Sequence, residues 1–193
     1  MLKLKEEEPV CPANRLPEFM QSADTLIRED MEDLYQYLKQ HIIVGNSIIF
    51  CGKSLTKKSA LIDSLIASIR STHKERNGDD EFYTSPLVLT DRDSTYAKVV
   101  LERISKENPF LLEMYATSHC DAIRNLVYIM LDIYDDVYPD EANTFTLEKV
   151  TNKLAVCTPL VVFIDNLVDT RTVFRFIGYE KSTDSFGFEK INF

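Results

Sequence analysis

Four cysteines, Cys11, Cys51, Cys120 and Cys157, lie far apart in the chain, and no two of them form a C-x-x-C pair. That spacing argues against a zinc site or a disulfide frame. With Cys51 and Cys157 in or beside apolar runs, reduced core thiols of an intracellular protein are expected. The three histidines, His41, His73 and His119, stand alone, so surface or structural roles are favoured over ligation or catalysis. There is no basic stripe. Twenty-two Lys and Arg against 31 Asp and Glu give a net charge of −9, the wrong sign for a generally basic nucleic-acid binder. The N-terminal stretch "MLKLKEEEPVCPANRLPEF" has neither the apolar core of a signal peptide nor a spanning segment, so no membrane association is expected.

The 193 residues, 45% of them hydrophobic, suffice for one well-buried domain of ordinary size. Residues 1–22, with three prolines and a Glu run, read as a flexible N-terminal leader, and residues 23–193 as the folded part. From Ser22 the spacing of Leu26, Ile27, Leu34, Tyr37 and Leu38 predicts a helix, broken by Gly45 and Asn46. A strand over 47–51 and a helix over 58–71 follow. "STHKERNGDDEF" reads as a polar connection to a strand near 86–90. Helices are then expected over 94–105, 119–137 and 145–155, and a buried strand at "LVVFIDN". Two more β-prone pieces, "TVFRFIG" and "GFEKINF", close the chain. Strands alternating with helices imply an α/β layered sheet that binds ligands at the carboxyl ends of its strands.

The stretch "FCGKSLTKKSALIDSL", residues 50–65, holds two Lys-Ser pairs in the setting of a phosphate-binding loop, G-x-x-x-x-G-K-[ST] after a strand and before a helix. Pairing Lys53 with Ser54 would put Ile48, Ile49 and Phe50 inside the loop, where buried strand residues do not belong. Pairing Lys58 with Ser59 opens the loop at Gly52 and makes "SIIFC" the strand that delivers it. This second frame has a defect at its sixth position, where Lys57 replaces glycine. The loop turns its N–H groups inward through torsions that a Cβ resists, at a cost of roughly 1–2 kcal/mol, or about tenfold in affinity. Gly52, Lys57, Lys58 and Ser59 thus read as a degraded cradle for nucleotide phosphates, and on this octamer alone a lysine-rich solvated helix start is an equal alternative.

Such a loop works with magnesium, which needs a carboxylate at the end of a neighbouring apolar strand. Asp165 closes "LVVFID" and fits that role beside Ser59. The next residue is Asn166, whose amide cannot serve as a base toward water, so binding of ATP and Mg is expected to be weak or lost and hydrolysis poor.

Several stretches, taken in order, resemble a known family: the AAA+ subunits of the origin recognition complex, most closely the fourth. "LIREDMEDLYQYLKQHIIVGNSIIFCG" is similar to the family's opening helix and first strand. "KKSALIDSLI" is similar to its loop exit, "LVLTDRDSTYAKVVLERIS" to its second strand and helix, and "TPLVVFIDNL" to its magnesium-site strand. "FRFIGYEKSTD" resembles the strand that carries a polar sensor of the γ-phosphate, and places that sensor on Glu180, a residue that would repel phosphate oxygens. The resemblance implies a P-loop NTPase fold of AAA+ type, three layers around a mostly parallel sheet. It implies ATP and magnesium on Gly52, Lys58, Ser59 and Asp165. It also implies a structural subunit of a nuclear origin recognition complex, meeting DNA through the assembled complex and its other subunits. Because the chain stops at Phe193, it is expected to be a partial core without the family's lid or winged-helix domain. Two alternatives stand beside it, a small P-loop NTPase or kinase and an adaptor that keeps only the fold. The kinase would need a clamping set of arginines, whereas Arg70, Arg76, Arg92, Arg103 and Arg124 are scattered singly.

Overall fold

The structure, a computed structural model, describes residues 32–53, 56–77, 87–91, 95–106, 108–137, 146–157, 160–165 and 170–192. The expected leader and the expected start of the opening helix lie outside this set. Helix α1 (Glu32–Ile43) places Glu32 and Asp33 in its first turn, where carboxylates complement the helix dipole, and buries Leu34, Tyr35, Leu38 and Ile42 along one stripe. It stops at Gly45, whose φ of +84° lets the Gly45 and Asn46 N–H groups bond back to the Ile42 and His41 carbonyls. Only a residue without Cβ enters that turn cheaply.

Strand β1 (Ile48–Gly52) is buried along its whole length. It leads through the loop into α2 (Lys58–Asn77), then β2 (Leu87–Thr90), α3 (Tyr96–Ser105), β3 (Phe110–Tyr115), α4 (His119–Val137), α5 (Leu147–Cys157), β4 (Leu160–Asp165), β5 (Thr170–Glu180) and β6 (Ser185–Ile191). The six strands form one sheet in the order β2-β3-β1-β4-β5-β6. The first four run parallel, and β5 and β6 extend the sheet as an antiparallel hairpin. The fold is therefore mixed α/β with a mostly parallel sheet.

Strand alternation divides the core in two. Ile48, Phe50, Leu111, Val162 and Ile164 face α1 and α2, while Ile49, Cys51, Leu112, Met114 and Val161 face α3, α4 and α5. Ser47 joins the two flanks of β1 at its base. Its buried hydroxyl accepts from the Phe110 N–H at 3.0 Å, and its own N–H donates to the Cys157 carbonyl. Ser118 starts α4 by accepting from the Asp121 N–H, and Thr146 does the same for Lys149 at the start of α5.

Two features differ from the sequence-based expectation. Helix α2 runs on to Asn77, through residues read as a polar connection. Lys, Glu and Arg there are good helix formers but carry no apolar period to reveal it. A whole strand, β3, fills the interval between 105 and 119 for which no element was expected.

The histidines that fall on described side chains are structural. His119 stacks on Phe174 with ring centroids 3.6 Å apart and meets Phe188 edge-on. His41 packs near Tyr37, and its Nε2 has no hydrogen-bond partner among the described residues. Burial, with the Arg175 guanidinium adding to it, lowers the His41 pKa from 6.5 to about 4. The folded protein thus holds this ring neutral where the unfolded chain takes up a proton. Its contribution is complete above pH 6.5 and is lost as pH falls toward 4. Urea midpoints at pH 7.5 and 4.5 are expected to fall further for the wild type than for His41→Leu, by up to one proton's worth of slope. Equal falls would mean that His41 does not titrate with folding.

Candidate functional site

The candidate site lies at the carboxyl ends of β3, β1 and β4, where the chain leaves β1 for α2. Gly52, the last residue of β1, is paired with Tyr115 of β3 on one side and Ile164 of β4 on the other. Its φ is +154°, and a Cβ there would run into the Ile164 carbonyl oxygen and stand 3.2 Å from Thr56 Oγ1. Glycine is required by space as well as torsion. Its carbonyl accepts from the Ala116 N–H, so the loop leaves the sheet from a fixed point.

At the other end of the loop, Lys57 has a φ of +56°, the left-handed torsion that a glycine would adopt freely. The residue is exposed, and its carbonyl accepts from the Leu61 N–H in the first turn of α2. The expected strain thus falls on this residue, at roughly 1–2 kcal/mol. The consequence is the placement of Lys58, which turns inward. It is 6% exposed, and its ammonium donates to the Gly52 carbonyl at 3.1 Å, the Lys53 carbonyl at 2.9 Å and Thr56 Oγ1 at 3.0 Å. A buried ammonium is tolerated only where acceptors replace its water. Beneath the loop, burial pushes the Cys51 thiol up to about 12 against the pull of Lys58, so this cysteine stays neutral and offers no nucleophile.

Ser59 donates its hydroxyl to Glu113 Oε2 on β3, at 2.7 Å. Asp165, expected as its partner, ends β4 on the other side of β1 and pairs in the ladder with Thr170. Because Ile164 belongs to the core beneath α1 and α2, alternation directs Asp165 toward the opposite face, whereas Glu113 shares the α2 face with Leu111. The carboxylate in contact with the loop serine is therefore Glu113. It is held in place from β2: the Asp91 N–H donates to the Glu113 carbonyl at 2.9 Å, and the Asp91 carboxylate accepts from the Tyr115 N–H.

Glu180 does not reach the site. Strand β5 runs antiparallel to β4, so Arg171 lies beside Ile164 at the loop end and Glu180 lies nine residues further along. At the rise of an extended strand this is about 30 Å away. There Glu180 accepts from Ser182 and Thr183 in the exposed β5–β6 turn. The sensor expected of Glu180 is thus excluded by strand direction. Asn166 lies outside the described residues.

The sequence reading missed Glu113 and Thr56. The signal for Glu113 was the apolar run "FLLEMY" after Pro109, with a carboxylate inside it rather than at its end. Thr56 gave none, since the intermediate loop positions are unconstrained in the motif.

The residues present suit phosphate and a hard divalent cation. A serine hydroxyl that donates to a carboxylate keeps its oxygen lone pairs for a cation, and a lysine beside a glycine-opened loop supplies positive charge. Among the described residues no group of three or more His, Cys, Asp or Glu could hold a metal on its own. No helix among them is long and apolar enough to cross a membrane.

No family model matches the chain, and no curated protein matches it. Among solved structures, the chain is similar to the VirB11 ATPase from the Brucella suis type IV secretion system in complex with sulphate, at 11% identity and a TM-score of 0.48. The match covers 91% of this chain and 55% of that one, so the chain spans about half the length of that structure. A likeness at this level assigns neither ligand nor activity.

Adding a methyl group at Gly45, in the turn after α1, and at Gly52, at the start of the loop, separates space from torsion. Gly45→Ala, with nothing within 4 Å of the new Cβ, is expected to cost about 1 kcal/mol, the left-handed torsion alone. Gly52→Ala, which collides with backbone, is expected to cost at least about 2 kcal/mol. Equal losses in chemical denaturation would show that the approach to Ile164 is not tight.

Proposed function

We propose that the chain binds a nucleoside triphosphate with magnesium through the loop from Gly52 to Ser59, weakly and with little hydrolysis. The observation that carries this reading is the conjunction, at the carboxyl ends of β1 and β3, of a buried Lys58 ammonium and a Ser59 hydroxyl directed at the Glu113 carboxylate. Lys58 would move from loop carbonyls to phosphate oxygens, exchanging neutral acceptors for charged ones. Ser59 would turn its oxygen to the cation while Glu113 keeps its proton-donating side engaged. Bound magnesium would neutralise charge on the phosphates. Weak binding follows from the torsional cost at Lys57. Little turnover follows from Asn166, whose amide takes no proton from water.

Titration calorimetry with MgATP tests the assignment of carboxylates. Glu113→Gln is expected to weaken binding roughly tenfold when magnesium is present and to change little in excess chelator, because a hydrogen bond to a charged group is lost only from the cation-bound arrangement. Asp165→Asn is expected to have a smaller effect. The reverse ranking would restore Asp165 as the magnesium residue.

The cellular role proposed is that of a structural subunit of an origin recognition complex in the nucleus. Its support is the ordered set of stretches from "LIREDMEDLYQYL" to "TPLVVFIDNL". The distance of Glu180 from the loop removes one element of that support. A net charge of −9 opposes direct approach to DNA, so contact would come through the assembled complex. Co-expression with origin-complex subunits is expected to yield a stable assembly, while the chain alone binds duplex DNA poorly at both low and high salt. Tight, salt-sensitive binding by the isolated chain, or no association with those subunits, would overturn this role.

A further inference from the structure

The loop is closed on its own cation. The Lys58 ammonium donates to acceptors of its own loop, among them the Gly52 carbonyl, the Lys53 carbonyl and Thr56 Oγ1. Two of these are backbone groups that any loop would offer. The third is a side chain, buried to 3% exposure, whose hydroxyl lies across Gly52 at the mouth of β1. The torsion at Lys57 completes the closure, because it brings Lys58 back over the residues it donates to.

We propose that Thr56 latches the loop shut on Lys58, so that the resting occupant of the cradle is the chain's own ammonium and a polyphosphate is needed to displace it. The latch presupposes the phosphate-binding loop proposed above. Orthophosphate carries its four oxygens on one phosphorus, so it can meet Lys58 but reaches little of the loop beyond it. A triphosphate presents anionic oxygens on successive phosphorus atoms and can satisfy Lys58 while contacting the start of α2. Thr56 therefore acts as a positioning residue that sets both the affinity of the loop and the class of anion it admits. Removing its hydroxyl raises the free energy of the closed, ligand-free loop and leaves the bound arrangement, in which phosphate oxygens hold Lys58, less affected.

The test uses the full chain and inorganic tripolyphosphate, with orthophosphate as the comparison anion. Thr56→Val keeps the branched shape without the acceptor, and Thr56→Ala removes the acceptor with no risk of overpacking. Both are expected to bind tripolyphosphate roughly tenfold more tightly than the wild type, the worth of one hydrogen bond to a charged group. Both are also expected to melt at lower temperature without ligand. The wild type is expected to bind orthophosphate far more weakly than tripolyphosphate. Unchanged or weaker tripolyphosphate binding in both variants, with binding abolished by Lys58→Ala, would refute the latch and leave the loop a phosphate site. Orthophosphate bound as tightly as tripolyphosphate would refute the selectivity. No tripolyphosphate binding by the wild type or either variant would remove the phosphate site, and the latch with it.

Discussion

The arrangement of this molecule depends on the burial of β1 between two strands. Five residues, Ile48 to Gly52, have a parallel neighbour on each side and helices above and below. Four of them fill both cores. The fifth must be glycine, because the Ile164 carbonyl occupies the space of a side chain. The chain consequently leaves the sheet at one place and in one direction, and α2 begins where that direction allows. Ser47 fixes the opposite end of the strand by tying the starts of β1 and β3 to the end of α5.

From that constraint the chemistry of the site follows by proximity. A parallel strand on each side of β1 brings two acidic residues near the loop, Glu113 from β3 and Asp165 from β4, one on each face. Since α2 covers the face of Glu113, the serine at its start meets that residue. The lysine one position before that serine, Lys58, is turned into the loop beside the torsion at Lys57 and is solvated there by carbonyl and hydroxyl oxygens. One strained torsion thus does two things. It puts strain into the loop, and it turns the Lys58 ammonium in among the loop's own acceptors.

Much of this was legible in the sequence. The strand "SIIFC", the loop frame ending at Lys58 and Ser59, the amphipathic helix from His119 and the run "LVVFID" each carry a local signature, and each lies within a residue or two of its expected place. The strain at Lys57 was legible too, since the motif states which torsion that position needs. What the sequence did not reveal concerns neighbours rather than elements. The glutamate inside "FLLEMY" breaks its apolar run and hides the strand, and the identity of the residue facing Ser59 depends on which strand lies beside β1. The direction of β5 is equally silent in "TVFRFIG". A short connection after Asp165 makes it antiparallel, and that carries Glu180 to the far end of the sheet. Sequence spacing says how far apart two residues are along the chain, while register decides which of them meet.

The proposed cation-dependent phosphate site lies between β1 and β3. Paramagnetic broadening in the nuclear magnetic resonance spectrum, with ATP and Mn²⁺ in place of magnesium, locates it directly. The signals of Ser59, Lys58 and Glu113 are expected to be lost first, with Asp165 affected less and Glu180 and the β5–β6 turn keeping their intensity. Broadening centred on Asp165 with Glu113 spared, or no ATP-dependent broadening at the loop, would contradict this placement.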